Sequence, residues 1–197
     1  MKKLIVITCL ASAVALTAGT AMADSIKGRV GVTGKIGFLL PADNESDFLS
    51  NKTDAGFVGG ASVIYGIDDH FAAELEVSRT SFGSETGDFG ITNVSLGGQY
   101  RFALSNPQLV PFLGLGMDIL VSDYDPNDGS RRNVDTTVGA HLSAGADYFL
   151  ARQLALTAEA KVVAAPDTSI TDGFGNHRGN FDPSSFTGTV GIRYFFN

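Results

Sequence analysis

The stretch SFTGTVGIRYFF, residues 185–196, sets Phe186, Gly188, Val190, Ile192, Tyr194 and Phe196 on one side and Thr187, Thr189, Gly191 and Arg193 on the other. Side chains alternate across an extended strand, so this segment has an oily face and a wet face. A helix would scatter both sets around its circumference. The same two-residue period recurs about eight times between polar connections, the pattern of a sheet closed into a cylinder with an apolar outside. It is sharpest over residues 70–82, where Phe71, Ala73, Leu75 and Val77 oppose Glu74, Glu76, Ser78 and Thr80.

Working outward from these two segments, the alternation predicts further strands over residues 28–40, 54–67, 109–122, 137–148 and 154–162, and one that follows residue 88 and ends at Phe102. Pro111, near the start of one strand, fits only where a ladder hydrogen bond can be missed, as at a rim. Short returns at Asp68-Asp69, Asn106-Pro107 and Ala151-Arg152 alternate with longer polar connections at 41–53, 83–88, 123–133 and 165–183. Outer-membrane barrels have short periplasmic turns and longer external loops. The expected fold is therefore all-β, an eight-stranded antiparallel transmembrane β-barrel with up-and-down connections. Tyr65, Phe71, Tyr100, Phe102, Tyr148, Tyr194 and Phe196 all fall near the short-turn ends of their strands, as an aromatic girdle at one interface requires.

The first residues add a location. Lys2 and Lys3, an apolar run from Leu4 to about Ala18 and Ala21-Met22-Ala23 before Asp24 predict a secretory signal over residues 1–23 and a barrel domain over 24–197. The one cysteine, Cys9, lies in that signal, so disulfides have no part in the expected mature chain. Losing Lys2 and Lys3 from the 14 basic residues leaves 12 against 21 acidic ones, a net charge of −9 with His neutral. Such a balance disfavours a nucleic-acid partner.

Three segments carry a further likeness: GGQYRF at residues 97–102, PFLGLG at 111–116 and GIRYFF at 191–196. They resemble the small outer-membrane β-barrel family that includes the OmpA membrane domain, OmpX-like proteins and opacity-type porin-like proteins. The resemblance implies an outer membrane of a Gram-negative bacterium, contact with outer-membrane lipid and lipopolysaccharide, and transient recognition by the outer-membrane assembly machinery. In that family the last strand ends on an aromatic residue that the machinery reads. Here Asn197 follows Phe196, and the implied insertion signal falls on Val190, Ile192, Tyr194 and Phe196.

Inward positions collect Glu74, Glu76, Asp118, Asp147 and Glu159 against Lys35, Arg101, Lys161 and Arg193, with His141 among them. Eight strands enclose little more than their own side chains, and an unpaired charge there is costly. One reading is a polar network that plugs the lumen. Another is a narrow porin-like conduit for small molecules, supported by inward glycines including Gly37, Gly60, Gly97, Gly114, Gly116, Gly139 and Gly191. A third is a lipid A-modifying hydrolase using His141, Ser143 and Glu159 as a triad. The His-x-Ser pair resembles outer-membrane lipid A deacylases, although AHLSAG lacks the Asn that follows Ser in their pattern.

The loop DYDPNDG at residues 123–129 is rich in carboxylates, yet its glycine falls one place late for a calcium loop and Val134 stands where a bidentate Glu belongs. Phe48, Leu49, Phe174 and Phe181 add apolar groups to otherwise polar loops. The expectation is a monomeric, non-catalytic envelope protein without cofactor or metal, displaying acidic loops for surface interactions.

Overall fold

The computed structural model describes residues 25–41, 45–46, 49–50, 55–84, 87–126, 132–134, 136–172 and 177–196, with side chains omitted at 42–54, 82–89, 123–135 and 168–181. The expected signal over 1–23, the side chains of the calcium-like stretch and those of Phe48, Leu49, Phe174 and Phe181 lie outside the described residues. Eight long strands follow one another: β1 (Val30–Pro41), β2 (Gly56–Gly66), β3 (Phe71–Ser84), β4 (Gly87–Arg101), β5 (Leu109–Pro126), β6 (Thr137–Ala151), β7 (Leu154–Ala164) and β8 (Ser185–Phe195). Each pairs antiparallel with its neighbours in sequence, and β1 pairs with β8 from Gly31↔Phe195 to Pro41↔Ser185. That last ladder closes the sheet into an eight-stranded barrel. No membrane-facing edge then carries unpaired N–H and C=O groups, the condition for a sheet to cross a bilayer.

Burial follows the sequence period. In β1, Val30, Val32, Ile36 and Phe38 are exposed while Thr33 and Lys35 are buried; in β6, Val138, Leu142 and Tyr148 are exposed while Thr137, His141, Ser143 and Asp147 are buried. All seven girdle aromatics face outward. They also meet one another: Phe71 and Phe102 each set an edge against Tyr100, at 5.1 and 5.0 Å between ring centres, and Tyr194 meets Phe196 at 5.2 Å.

The short returns are held by polar side chains. Asp68 Oδ1 accepts the backbone N–H of both His70 and Phe71 at 2.7 Å, and these donors hold its carboxyl below the usual carboxylate range. Asn106 Oδ1 accepts Gln108 N–H at 3.1 Å in the next return. Pro111 lies beside it, and its carbonyl accepts Phe102 N–H at 2.8 Å, so only the donor it lacks is missing from the ladder.

Two features depart from the sequence reading. First, the connections expected as loops continue the sheet: Arg132–Val134 pairs with the end of β5, Thr168–Asp172 pairs with Arg132–Val134, and His177–Phe181 pairs with Thr168–Asp172. Their sequences lack the long alternation that marks a membrane strand, because outside the bilayer neither face has to be apolar. Second, the chain before β1 turns under the barrel. Gly28 takes a positive φ of 72°, Gly28 N–H bonds Gly66 O at 2.7 Å and Gly66 N–H bonds Arg29 O at 3.0 Å. The strand expected from residue 28 therefore begins at Val30, and the preceding turn seats Ile26 in the barrel mouth.

Candidate functional site in the barrel lumen

All nine charged residues that the alternation assigns to the interior, and His141 with them, come together inside the barrel, and none of these side chains is more than 9% exposed. Strands β3, β4, β6 and β8 supply an arginine-centred half. Asp147 Oδ2 accepts from Arg101 Nη2 at 2.6 Å and from Arg193 Nη1 at 2.8 Å. Arg193 also reaches Glu74 at 3.1 Å and Thr33 at 2.9 Å. Glu74 is closed in by the Ser62 hydroxyl and the Gln99 amide, both donating to it.

Strands β1, β3 and β7 supply a lysine-centred half. Lys35 Nζ lies 2.5 Å from Glu76, 2.8 Å from Glu159 and 3.7 Å from Glu74, and Lys161 reaches the other oxygen of Glu76 at 2.9 Å. Glu74 thus touches both halves. A third pair stands on β5 and β6, where His141 Nδ1 meets Asp118 Oδ2 at 2.7 Å while Asn93 Nδ2 donates to Asp118 Oδ1 at 2.8 Å. Five carboxylates face four permanent cations, with the imidazole as fifth partner. Paired in this way, buried charges recover much of the several kcal/mol that dehydrating each of them costs.

Apolar layers bound this polar belt. At the short-turn end Ile26, Ile64, Ala72, Phe149, Ala155 and Phe195 form a buried cluster, with Phe149 stacked on Phe195 at 5.8 Å. At the other end Leu39, Val58, Ile91, Leu120 and Val163 are buried. Both guanidiniums lie 5.9 Å from the centre of the Phe112 ring. The sequence reading missed Phe112 and Ile26. For Phe112 a signal existed: it has inward parity, one place from the outward Leu113.

Inward glycines do not line an open path at three central positions. A Cβ on Gly116 would lie 2.6 Å from His141 Cε1, one on Gly97 3.1 Å from His141 Nε2, and one on Gly114 2.4 Å from Ser143 Oγ. The imidazole and the hydroxyl occupy the space that these glycines vacate. A cavity of about 10 Å³ lies among Glu74, Gln99, His141, Ser143, Glu159 and Lys161, and one of about 20 Å³ lies toward the loops, lined by Ser78, Thr80, Asn93, Lys161, Ser185 and Thr187. Each has room for about one water, and Asn93 Oδ1, on the second, has no protein partner among the described residues.

The proposed triad is not assembled: Glu159 holds Lys35, and the carboxylate on His141 is Asp118. Among the described residues no three His, Cys, Asp or Glu side chains converge as metal ligands. Val190, Ile192, Tyr194 and Phe196 are exposed on the outer wall.

No curated protein matches the chain in sequence. In structure it is similar to the outer membrane protein OprG of Pseudomonas aeruginosa, with 17% identity and a TM-score of 0.70 over 87% of this chain and 97% of that one. It is similar also to Neisserial surface protein A, with 16% identity and a TM-score of 0.63 over 85% and 96%. The outer membrane protein AlkL in lipid bilayers has 14% identity and a TM-score of 0.59 over 91% and 95%. At these identities the likeness is one of fold. Residues 8–196 match the family described as outer membrane protein beta-barrel domain, and the chain belongs to that family, an integral outer-membrane protein of a Gram-negative bacterium.

Proposed function

We propose that the protein is a non-catalytic envelope barrel with a closed lumen, and that it acts outside the membrane through its acidic loops. The observation that carries this reading is the filled cross-section. Nine charged groups and His141, paired with one another, span the middle of the barrel, apolar layers lie on both sides, and two cavities against the pairs are about 10 and 20 Å³. Hydrated ions and small solutes need a wider and continuous path. A vesicle-swelling assay tests it: reconstituted protein leaves the permeation of glycerol and small sugars at the rate of protein-free vesicles, and solute entry in proportion to protein content contradicts it.

The loop sequences bear on the outside partner. Asp43, Glu45 and Asp47 lie in the first long connection, Glu85 and Asp88 in the second, Asp123, Asp125 and Asp128 in the third, and Asp167, Asp172 and Asp182 in the fourth. The barrel is also similar to Ail, the attachment invasion locus protein of Yersinia pestis, seen with a heparin analogue at 12% identity and a TM-score of 0.54. A polyanion of that kind fits this chain poorly. Cationic protein surfaces, or lipopolysaccharide bridged by divalent ions, match its charge. Assembly by the outer-membrane machinery through Val190, Ile192, Tyr194 and Phe196, and a monomeric state, complete the reading. The affinity with OmpA-, OmpX- or opacity-type members stays part of it.

The conduit reading keeps one specific observation. Glu76 and Lys161 line both cavities, so their ion pair is a shared wall. Lys161→Met leaves Glu76 on Lys35 and removes half of that wall; a rise in solute entry in this variant, with none in the parent, makes the pair a gate.

A further inference from the structure

β1 and β8 are the one pair of neighbouring barrel strands that no connection joins directly, because they are the first and the last strand in the chain. Every other ladder is tethered at one end by a turn or a loop. A barrel that opens sideways therefore parts at this seam first, and each freed edge then offers lipid a row of unpaired backbone groups. Residues 25–29, just before β1, lie over the seam at the short-turn end. On one side they are fixed to β2 and its return: Gly28 N–H donates to Gly66 O at 2.7 Å, Gly66 N–H donates to Arg29 O at 3.0 Å, and the Ser25 hydroxyl donates to Asp69. On the other side they reach past β1. Ile26, 5% exposed, packs in the cluster that holds Phe149 and Phe195, the Arg29 guanidinium stands 5.2 Å over the Phe195 ring, and Arg29 Nη2 donates to the Arg152 carbonyl on the β6–β7 return at 3.0 Å.

We propose that residues 25–29 are a clasp that holds the β1–β8 seam shut, so that the barrel opens sideways only after the clasp lets go. Its seating needs both flanks. Phe195 meets Ile26 and Arg29 only where β8 lies beside β1, and Gly66 receives the turn only where β2 does, so the clasp contacts and the seam ladder are lost together. Two glycines fit the chain to this path. Gly28 has a φ of 72°, which a residue with a Cβ rarely adopts, and a Cβ on Gly66 would lie 2.0 Å from the Ile26 carbonyl oxygen. The clasp acts on the wall of the barrel and holds it whether or not the lumen conducts.

Gly28→Val is a clean way to undo the clasp, since nothing lies within 4 Å of the added Cβ and the change penalises the positive φ alone. The full protein is folded into lipid nanodiscs and its backbone amide exchange is followed by NMR. In Gly28→Val the amides of the β1–β8 ladder should exchange about tenfold faster than in the parent, while those of the β3–β4 ladder keep their parent rates. Ile26→Ala, which removes the seated side chain and leaves the turn, should act in the same direction. Val32 and Tyr194 face each other across the seam, and the chain's one cysteine, Cys9, lies before the strands, so Val32→Cys with Tyr194→Cys can bridge the seam covalently. With that bridge formed, Gly28→Val should no longer raise exchange. Parent-like exchange of the β1–β8 ladder in both variants overturns the proposal, as does an equal rise in the β3–β4 ladder. A rise that persists with the bridge in place overturns it too, and leaves residues 25–29 as packing for the barrel mouth only.

Discussion

The arginine half and the lysine half of the lumen solve the same problem differently. Around Asp147 two guanidiniums share one carboxylate oxygen, both lie 5.9 Å from the Phe112 ring, and Asp147 and Arg193 are fully buried. Around Lys35 the contacts run to single ammonium groups, which act as point charges on flexible stems, and both cavities lie against this half. A planar, forked cation fixes its partners in place. An ammonium exchanges partners with little change in geometry. The first half therefore works as a strut across the barrel, and the second is where the lumen can loosen.

The largest effect expected from this contrast is at Arg193. Arg193→Ala removes contacts to Asp147, Glu74 and Thr33 together and leaves the fully buried Asp147 with Arg101 as its one ion-pair partner among the described residues, so equilibrium unfolding from lipid should show a loss of about 3–5 kcal/mol. Lys161→Met should cost less, about 2 kcal/mol, because Glu76 keeps Lys35 at 2.5 Å. Equal losses at the two positions would erase the distinction between strut and adjustable half.

The smallest effect lies outside the lumen, at the β2–β3 return. The Asp68 carboxyl is held below its usual range by the His70 and Phe71 N–H groups, so its contribution is present at neutral pH and is lost as pH falls through that depressed value. The amide proton shifts of His70 and Phe71 should titrate together, below the usual carboxylate range. A titration of both amides at an ordinary carboxylate value would mean that the return is not held in this way.

The difference between the halves was only partly legible in the sequence. Parity along each strand assigns Lys35, Glu74, Arg101 and Arg193 to the interior, since one face must meet lipid. Parity says nothing of partners, because which carboxylate meets Lys35 depends on the stagger between strands. Glu159 reaches Lys35 across β8, and His141 finds Asp118 instead of Glu159 for the same reason. Apolar residues of inward parity, such as Phe112, Phe149 and Leu120, carry no mark that distinguishes a lumen layer from a lapse in alternation. Ile26 precedes the first alternating segment, and only the turn at Gly28 brings it back under the barrel. The inward glycines point to empty space when read singly; in the fold, three of them make room for His141 and Ser143.

Electrical recording tests the closed lumen most directly. In a planar bilayer the closed lumen proposed above predicts no steady conductance from the unaltered protein, with the paired charges and the two apolar layers as the barrier. Arg193→Ala, if it still inserts, should show brief and irregular current as the strut is lost. Stable, ion-selective openings from the unaltered protein, with selectivity shifted by Arg193→Ala, would contradict the account and make the polar lumen a conducting pore.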